Sequence, residues 1–362
     1  MDKILNIGII GLGKLGSSLY KVIEDTTKHN LSYYDLNRLD KEYTYESLDE
    51  IVIGKDIIFI CVSTPEPEGY DGSKYIHQEL LMGFDYNYKS LDGILDRLGD
   101  SDSLVVISST VSPTKIKSIF DREGGPNIVY NPFMFEGGNE YNSIREQKNV
   151  IIGTKNDSHL TLLNLYNQIT PETTYNILSP LDASLLKMLH NSYVSLRISF
   201  VNSIQRLGDV IDLEPQKILN ELKTFPIFNS PIFLNVGLPS GGPCIPRDSM
   251  VISGLDTHND LFGDIVNERM NHTDWLSQKV LMYMDMTNKS GVTLCGLSYK
   301  KGVDNQSGSS ALLLYNELKR MEVKCVIDEE DKSRLTVLLN TDHKPTTTHY
   351  DVWKDELIFI ND

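Results

Sequence analysis

The hexapeptide Gly11-Leu12-Gly13-Lys14-Leu15-Gly16 fits the pattern G-x-G-x-x-G and stands between an apolar run, Ile4–Ile10, and a segment of helical spacing, Leu15–Glu24. In this pattern the glycines allow a tight turn and the close approach of a pyrophosphate, and the N-terminus of the following helix stabilises its negative charge. The stretch therefore predicts a strand, a phosphate-binding turn and a helix, which together begin a dinucleotide-binding α/β domain.

An acidic residue, Asp35, follows nineteen residues after Gly16, at the end of a second strand-like run, Leu31–Tyr34. At that position a carboxylate can accept hydrogen bonds from the adenosine ribose hydroxyls and repel a 2′-phosphate, which favours NAD over NADP. We therefore predict NAD as the cofactor, with a binding site formed by Gly11, Gly13, Lys14, Leu15, Gly16 and Asp35.

Beyond these elements, the first half of the chain continues to alternate strand-like and helical segments. Further apolar runs of strand length are Ile57–Val62, Leu104–Ser108, Ile128–Tyr130 and Val150–Ile152. Such alternation indicates a parallel, doubly wound sheet. The predicted fold class is α/β, with an N-terminal Rossmann doubly wound domain over residues 1–178, a central long-helix segment over 179–288, and a shortened Rossmann-like α/β domain over 289–362.

The central segment begins with a long helix, predicted from Ser179 as N-cap and Pro180 as the first helical residue to about Ile211. Apolar residues recur every three or four positions along it, at Leu185, Leu189, Tyr193, Leu196, Phe200, Ile204 and Leu207. Others lie off that stripe, so the helix is expected to be buried on several sides. We expect it to join the two α/β domains, with a second subunit as a further candidate partner.

The last part of the chain contains a second, smaller α/β pattern. Strand-like runs and one helical segment follow in the order Val292–Leu297, Ala311–Met321, Val323–Ile327 and Leu357–Ile360. Leu335–His349 carries no such pattern, and we expect a loose stretch there.

The composition excludes several classes of function. The chain has 362 residues, a hydrophobic fraction of 40% and a net charge of −16, which suits a globular protein of two or three domains and argues against a nucleic-acid partner. No run approaches the ~20 apolar residues that span a bilayer, and Met1–Ile10 lacks the features of a signal peptide. We therefore expect a cytoplasmic protein without a membrane partner. Its four cysteines are widely spaced, and no metal site is predicted.

One of these cysteines, Cys244, lies within Gly237-Leu238-Pro239-Ser240-Gly241-Gly242-Pro243-Cys244-Ile245-Pro246-Arg247-Asp248. This segment is too rich in glycine and proline for a helix or a central strand, so the thiol is expected on a shaped loop and not on an apolar face. A loop of this kind can bring backbone N–H groups close to a ligand, and Asp248 supplies a carboxylate four residues on. Cys244 is therefore a candidate reactive thiol.

Lys187 and Asn191 are spaced i, i+4 on the predicted long helix and therefore share one face. Two interpretations are open. In the first, the lysine makes a surface salt bridge and the asparagine makes a helix–helix hydrogen bond. In the second, the two side chains donate hydrogen bonds to a developing oxyanion.

Two segments with hydroxyl side chains end apolar strands at the edge where ligands bind in doubly wound sheets. They are Cys61-Val62-Ser63-Thr64-Pro65 and Ser108-Ser109-Thr110-Val111. Taken alone, each is better explained as a cap of the following helix.

In this order, the motifs resemble the UDP-glucose/GDP-mannose dehydrogenase family. The resemblance covers almost the whole chain: the glycine motif, Val62–Pro65, Ser109–Val111, Asn131-Pro132 with Glu136, Lys187 with Asn191, the Gly-Gly-x-Cys loop with Asp248, and Gly296-Leu297-Ser298-Tyr299-Lys300-Lys301. Members of this family oxidise the primary alcohol of a nucleotide sugar to a carboxylate with two molecules of NAD. The resemblance implies the same reaction on a UDP-sugar, with UDP-glucose as the expected substrate, and a homodimer formed through the central long helix.

The resemblance also implies a role for each matched residue. The Cys244 thiolate would add to the aldehyde and be carried to a thioester, which water hydrolyses. Lys187 and Asn191 would stabilise the oxyanions, while Asp248, Thr110 and Glu136 would position water or assist proton transfer. Other matched positions are implied as contacts to NAD (Thr64, Pro65, Thr110) or to the sugar nucleotide (Lys187, Asn191, Gly241, Gly242, Lys300, Lys301).

The sequence departs from the family pattern near Glu136, where one of two acidic residues is missing, and in a C-terminal domain that looks short. The arginine that usually follows the lysine motif is also absent, from a segment that carries Asp304, Asn305, Ser307 and Ser309. The alternatives are oxidation of another sugar nucleotide, such as GDP-mannose or a UDP-N-acetylhexosamine, and a catalytically weakened NAD- or nucleotide-binding protein. A two-electron hydroxyacid dehydrogenase would share the glycine motif but have no use for the Cys244 loop.

Overall fold

The computed structural model describes residues 3–37, 43–67, 70, 72–76, 81, 83–135, 137–211, 213–226, 235–255 and 261–360. The chain divides into two compact units. The first contains Met1–Pro67 and Asp85–Met188, and the second contains Glu68–Phe84 and Leu189–Asp362. The boundaries 1–178, 179–288 and 289–362 stay a prediction, because the second unit combines the central and C-terminal parts with a short segment of the N-terminal part.

The first unit is an α/β domain with strands and helices in alternation. Its strands are β1 Asn6–Ile10, β2 Asn30–Tyr34, β3 Ile57–Ile60, β4 Leu104–Ile107, β5 Asn127–Tyr130, β6 Asn149–Gly153 and β7 Thr174–Leu178. Its helices are α1 Lys14–Thr26, α2 Leu48–Ile51, α3 Lys89–Leu98, α4 Pro113–Phe120, α5 Glu140–Arg145 and α6 Leu160–Ile169, the last preceded by a 3₁₀ turn, Asp157–His159.

These strands form one sheet in the order β2-β1-β3-β4-β5-β6-β7. The first five are parallel, which confirms the predicted doubly wound core. The sequence did not predict that β6 and β7 run the other way, since β5 and β6 pair antiparallel. It also missed β7, an edge strand whose residues are only partly buried and so lack a strong apolar pattern.

Both faces of the first sheet are covered, as the apolar runs predict for a parallel sheet. Ile7, Ile9 and Phe59 contribute to the core on one face. Ile58 and Ile60, which alternate with them along the strands, contribute to the core on the other face. The chain goes from β1 to β2 on one side and then to β3 on the other, so the strand order reverses between β1 and β3. Ligands of doubly wound sheets bind at such a reversal, beyond the carboxyl ends of the strands.

The long helix α7, Pro180–Ile211, begins where predicted and passes from the first unit into the second. Ser179 Oγ accepts a hydrogen bond from the N–H of Asp182 at 3.1 Å, which confirms it as the cap. Within the single chain the apolar stripe is not buried: Leu185, Leu189, Tyr193, Leu196, Phe200 and Leu207 are exposed. The buried face carries the polar side chains Ser184, Lys187, Asn191, Ser192, Ser195, Ser199, Asn202 and Gln205.

The second unit contains α8 Pro215–Leu222, α9 Ile245–Ser253, α10 Leu261–Met286 and α11 Ser310–Arg320, with strands β8 Val292–Cys295, β9 Cys325–Ile327, β10 Leu335–Leu338, β11 His349–Asp351 and β12 Glu356–Ile358. The strands form a sheet in the order β12-β11-β10-β8-β9, parallel except for β11 with β12. Of the helices in the described part of the chain, none combines the length and apolarity that a membrane crossing requires.

The prediction of a loose stretch over Leu335–His349 was wrong at its beginning, because β10 is a central strand there. Leu335 and Val337 are fully buried and belong to the core formed with Leu276, Val280 and Leu314 of the neighbouring helices. A four-residue strand is too short for its alternation to stand out among polar neighbours.

The segment Glu68–Phe84 leaves the first sheet after β3 and belongs to the second unit. Its residues Ile76 and Leu81 share a small apolar core with Met250 of α9, Met270 of α10 and Leu313 of α11. Asn316 Nδ2 also donates to the carbonyl of Ser73 at 3.0 Å. This early segment is therefore held by parts of the chain made much later.

Candidate active site

The glycine turn after β1 has the geometry that the sequence predicts for a pyrophosphate site. Gly11 has φ +96°, and a Cβ atom there would lie 2.8 Å from the carbonyl carbon of Cys61. A Cβ at Gly16 would lie 1.9 Å from the carbonyl oxygen of Gly11, whereas one at Gly13 would meet no described atom within 4 Å. Gly11 and Gly16 therefore allow close packing of backbone, and Gly13 leaves open space before the first residue of α1, Lys14.

Asp35 stands beside this turn, at the carboxyl end of β2. Its Oδ2 accepts a hydrogen bond from the N–H of Leu12 at 2.7 Å, and its Oδ1 accepts one from the N–H of Asn37 at 2.9 Å. Lys14 is exposed and Leu15 partly buried in the first turn of α1. A carboxylate held against the glycine turn is positioned to accept hydrogen bonds from a ribose.

The two hydroxyl segments meet beyond the carboxyl ends of β3 and β4. Thr64 Oγ1 donates to the carbonyl of Thr110 at 2.8 Å, and Ser109 Oγ donates to the carbonyl of Val62 at 2.7 Å. Neither Thr64 nor Thr110 caps a helix; Ser112 caps α4 instead, so the simple capping interpretation was wrong for both threonines. Pro65 is exposed next to Thr64, while Glu136 lies outside the described residues.

Cys244 is the residue immediately before α9, so the prediction that no helix enters this segment was wrong from Ile245 onward. Pro246 fits there because the first turn of a helix does not need its N–H. Asp248 is completely buried in this turn, and its Oδ2 accepts a hydrogen bond from Nδ2 of Asn191 on α7 at 2.7 Å. The structure thus pairs Asp248 with Asn191, 57 residues earlier in the chain, one helical turn after Cys244.

Lys187 lies one turn before Asn191 on the same face of α7, and both side chains are buried. The surface salt bridge considered for Lys187 was therefore wrong. The helix–helix hydrogen bond considered for Asn191 is present, in its contact with Asp248 of α9. Buried polar groups on this face need polar partners or a ligand.

Cys244 differs from the other cysteines in its surroundings. None of the four forms a disulfide. Burial raises the pKa of Cys61 and of Cys295 to about 12, and that of Cys325 to about 11, so these three stay protonated and weakly nucleophilic at neutral pH. Cys244 is partly exposed at the N-terminus of α9, where the helix dipole stabilises negative charge.

The segment Gly237–Cys244, called the cysteine loop below, is held at its first residue by two buried side chains that the sequence analysis did not identify. Gln205 Oε1 accepts from the N–H of Gly237 at 3.1 Å, and His272 Nε2 donates to the carbonyl of Gly237 at 2.9 Å. His272 Nδ1 accepts from Arg206 at 3.0 Å, and because a guanidinium only donates, this pairing assigns the proton to Nε2. A Cβ at Gly237 would lie 2.2 Å from the Trp353 ring, so only glycine fits.

Acid is expected to destabilise the protein through His272. Burial lowers the pKa of His272 to about 3 in the folded chain. Below the ordinary histidine pKa of about 6.5, the unfolded chain therefore binds a proton at this residue and the folded chain does not. This group should therefore lower the free energy of unfolding by about 2 kcal/mol between pH 7 and pH 5. Urea unfolding at the two pH values, compared between wild type and His272→Gln, measures this loss. The loss should persist in His159→Gln, and an equal loss in His272→Gln would contradict the assignment.

The glycines and lysines implied for the sugar nucleotide lie on two neighbouring loops of the second unit. The N–H of Gly242 donates to the carbonyl of Gly308 at 3.0 Å, and a Cβ at Gly242 would lie 3.0 Å from the Tyr299 ring. A Cβ at Gly241 would lie 3.0 Å from Ser310 Oγ. Lys300 is partly buried, and Lys301 is exposed and ion-paired with Asp342.

The second sheet repeats the arrangement of Gly11 and Asp35, which the sequence did not predict. Gly296 follows β8 with φ +87°, and its N–H donates to Oδ1 of Asp328, the residue after β9, at 3.2 Å. A Cβ at Gly296 would lie 2.7 Å from the carbonyl carbon of Asn340, beyond β10. Both sheets therefore have a glycine and an acidic residue at the point where the strand order reverses.

Two domain models of one family match the chain. The NAD binding domain of the UDP-glucose/GDP-mannose dehydrogenase family matches residues 30–170, and the central domain of that family matches residues 182–272. Together these segments cover more than half of the chain.

A UDP-glucose 6-dehydrogenase of Rickettsia bellii is 24% identical over 317 residues, which are 82% of this chain and 70% of that protein. The matches to the enzymes of the same name from Rickettsia conorii and Rickettsia felis span 61% and 60% of those proteins, less than two thirds of their length.

Solved structures of other proteins have the same fold as this chain. A UDP-glucose dehydrogenase from Pyrobaculum islandicum superposes with a TM-score of 0.79 at 16% identity, over 97% of this chain and 94% of that one. A UDP-D-ManNAc dehydrogenase from Pyrococcus horikoshii gives 0.74 at 17% identity, over 94% and 90% of the two chains.

Proposed function

Because the chain belongs to the UDP-glucose/GDP-mannose dehydrogenase family, we propose that it oxidises the C6 alcohol of UDP-glucose to the carboxylate of UDP-glucuronate, with two molecules of NAD as hydride acceptors. The observation that carries the proposal is the cluster of Cys244, Asp248 and Asn191. A partly exposed thiol at a helix N-terminus, one turn before a buried carboxylate that orients an amide, suits covalent capture of an aldehyde.

NAD is the cofactor, and the residues of the first unit fit it. The open space at Gly13 and the N-terminus of α1 suit the pyrophosphate, and the carboxylate of Asp35 suits the adenosine ribose. Thr64, Pro65 and Thr110, beyond β3 and β4, line the same edge of the sheet. When bound, NAD supplies a hydride acceptor for each of the two oxidations.

Cys244 carries the second oxidation in this proposal. Its thiolate adds to C6 of the aldehyde, forming a C–S bond while the carbonyl oxygen takes a proton. Loss of a hydride from C6 and of the hydroxyl proton then leaves a thioester. Water adds to the acyl carbon to form a tetrahedral adduct. Collapse of this adduct releases the carboxylate and the thiol. Capture by Cys244 retains the aldehyde between the two oxidations.

Two polar side chains act on the oxygen atoms attached to that carbon. Asn191 donates through an amide whose orientation Asp248 fixes by a 2.7 Å hydrogen bond. Lys187, on the same face of α7, supplies a positive charge, so the pair stabilises the oxyanion formed at each addition. The roles of Asp248, Thr110 and Glu136 in positioning water rest on the family resemblance alone.

The second unit supplies the nucleotide site in this proposal. The repeated glycine and acidic pair, Gly296 and Asp328, supports binding of a nucleotide there, because the same arrangement accompanies the dinucleotide site of the first unit. Lys300 and Lys301 offer positive charge to a diphosphate in a protein of net charge −16. Binding would then replace the exposed Lys301–Asp342 ion pair.

Another sugar nucleotide is the second candidate substrate. The Pyrococcus horikoshii relative acts on UDP-D-ManNAc, and it resembles this chain nearly as closely as the UDP-glucose enzyme of Pyrobaculum islandicum does. The absent arginine near Asp304 also alters the region implied for the nucleotide. A UDP-N-acetylhexosamine and GDP-mannose therefore belong in any test of substrate.

The experiment that tests the proposal is the amount of NADH formed per sugar nucleotide consumed by the purified wild-type chain. UDP-glucose, UDP-N-acetylmannosamine and GDP-mannose are compared with NAD in excess, and the sugar product is identified by mass. We expect two NADH per UDP-glucose and UDP-glucuronate as product. Two NADH from another sugar nucleotide only would support the second candidate. NADH from none of them would overturn both.

We also infer that two copies of the chain associate through the exposed stripe of α7. Leu189, Tyr193, Leu196, Phe200 and Leu207 present a continuous apolar face on a helix whose opposite face is buried. Exposed apolar patches of this kind mark protein interfaces. A symmetric homodimer suits a single self-complementary stripe.

Substituting Tyr193, which is 60% exposed, by arginine is expected to weaken that dimer by about 2 kcal/mol, roughly 30-fold in Kd, because a buried charge replaces an aromatic contact. Light scattering after size exclusion should give about twice the 40.9 kDa chain mass for wild type and a shift toward the chain mass for the variant. The matched control is Ile53→Arg at an exposed apolar residue off the helix. A wild type of 40.9 kDa at all micromolar concentrations would contradict the dimer.

We also propose that the protein is located in the cytosol. The thiol of Cys244 must stay reduced to act as a nucleophile, and reducing compartments keep such thiols free. The three other cysteines, all in thiol form, fit the same setting.

A further inference from the structure

Arg269, on α10, is a large side chain of which only 2% is exposed. Its Nε donates to the carbonyl of Ser240 at 2.6 Å, and its Nη2 donates to the carbonyls of Gly72 at 2.8 Å and Gly308 at 3.3 Å. These acceptors are all neutral backbone oxygens, and in the part of the chain that the structure describes Nη1 has no hydrogen-bond partner. A buried guanidinium held only by neutral groups is costly to desolvate, so a function for it is expected.

The three carbonyls belong to segments that are far apart in sequence. Ser240 lies four residues before Cys244 in the cysteine loop. Gly72 lies in the segment Glu68–Phe84, and Gly308 lies in the loop that precedes α11. The carbonyl of Gly308 also accepts from the N–H of Gly242. Arg269 is therefore the point at which the cysteine loop is tied to two other segments of the second unit.

The contact among these segments is close enough to transmit a small displacement. A Cβ at Gly72 would lie 2.9 Å from Cα of Gly308, and a Cβ at Gly308 would lie 2.2 Å from the carbonyl oxygen of Gly242. Both Gly72 and Gly308 have positive φ, +76° and +64°. With the backbones in direct contact, a shift of one segment moves the next, and through Gly242 it moves Cys244.

We infer that Arg269 is a positioning residue for Cys244: it fixes the cysteine loop against the segments of Gly72 and Gly308, so that the thiol stays at the N-terminus of α9. Its importance for turnover rests on the proposed function, whereas the effect on the loop does not. A planar guanidinium has five N–H donors and can reach separate carbonyls at once. The ammonium group of a lysine keeps the charge but cannot span the same three acceptors.

The first test is the rate at which iodoacetamide alkylates each cysteine of the intact protein, followed by peptide mass spectrometry from pH 6 to pH 10. In both Arg269→Lys and Arg269→Gln, we expect the rate at Cys244 at pH 7 to fall at least about fivefold and its half-maximal alkylation to move to higher pH. Cys61 and Cys295 are buried and serve as internal reporters of general opening. Equal gains at all three thiols, or an unchanged profile at Cys244, would overturn the inference.

Two further variants separate an effect on the cysteine loop from a general loss of folded protein. Lys279→Met removes another buried cation of α10, one that pairs with Asp209 and Asp355, which lie outside the cysteine loop; Cys244 should react as in wild type. Gly72→Ala retains Arg269 but displaces one of its acceptors. It should change the alkylation of Cys244 as Arg269→Lys does, and a wild-type profile there would count against the inference.

Kinetics supply the second readout. In Arg269→Lys we expect kcat to fall about 100-fold, the loss typical of a 1 Å misplacement of a reacting group, with KM for NAD within about twofold of wild type. A lysine variant with wild-type kcat would mean that charge alone matters and would overturn the role in positioning. If wild type forms no NADH from any sugar nucleotide, the proposed function fails, while the alkylation profiles still decide the inference about Arg269.

Discussion

Replacing Cys244 by serine is expected to stop the reaction after its first oxidation, with one NADH formed per sugar nucleotide where wild type forms two. The overall rate of carboxylate formation should fall at least ~10³-fold, as in other enzymes that lose a covalent nucleophile. The physical reason is that a serine hydroxyl remains protonated at neutral pH, whereas a thiolate at the N-terminus of α9 is stabilised by the helix dipole. NADH absorbance gives the stoichiometry, and mass spectrometry identifies the aldehyde or its hydrate.

The matched control for this experiment is Cys325→Ser. Cys325 is a partly buried thiol whose pKa burial raises to about 11, in β9 at the edge of the second sheet. It should keep both the rate and the stoichiometry of wild type. Two NADH from Cys244→Ser would mean that the second oxidation proceeds without a thioester, and the role of Cys244 would be wrong.

Alanine at two glycines of the same turn should separate folding from cofactor binding. In Gly16→Ala the new Cβ overlaps the carbonyl oxygen of Gly11 at 1.9 Å, and only a shift of α1 can relieve it. We expect the first unit to lose about 1–3 kcal/mol of stability and NAD affinity to fall about 100-fold or more. In Gly13→Ala the Cβ meets no described atom within 4 Å, so stability should be unchanged.

Gly13→Ala should nevertheless bind NAD at least about tenfold more weakly, because the methyl group occupies the space of the pyrophosphate. Calorimetric titration with NAD and thermal unfolding of the same samples measure the two effects. Gly93→Ala, on an open face of α3, is the control: it should leave NAD affinity unchanged and raise stability by about 0.5–1 kcal/mol, because alanine favours the helix more than glycine does. Wild-type affinity in Gly13→Ala would show that the pyrophosphate does not approach this turn.

The sequence predicted the elements whose determinants are local. The glycine turn, Asp35 after β2 and the cap at Ser179 all depend on residues within one strand, turn or helix. These features follow from backbone sterics and helix-end hydrogen bonding, which a short stretch of sequence specifies.

For helix α7, the sequence predicted the helix but not which of its faces is buried. Its period correctly grouped Leu189, Tyr193, Leu196 and Phe200 on one face, but periodicity does not say which face is buried in the chain itself. The face turned inward is the polar one, because Asn191 has a carboxylate partner in Asp248. That partner lies 57 residues away, and no local pattern reports it.

The burial of Arg269 and His272 was also not predictable from the sequence. Charged and titratable residues on a helix normally indicate a solvent-facing side, and both would be assigned to the surface on that basis. They are buried because backbone carbonyls of the cysteine loop, at Ser240 and Gly237, accept from them. Such acceptors depend on the path of the backbone and have no side-chain signature in the sequence.

The segment Glu68–Phe84 has a consequence for the synthesis of the chain on the ribosome. Ile76 and Leu81 pack against Met250, Met270 and Leu313, so their partners emerge up to about 240 residues later. At ~5–20 residues per second, this corresponds to a delay of about 10–50 s. During that time β1 to β5 are available to form the first sheet, while the apolar residues of the segment wait without their native contacts. Because synthesis sets this delay, we expect these apolar residues to be accessible to a chaperone until the second unit forms.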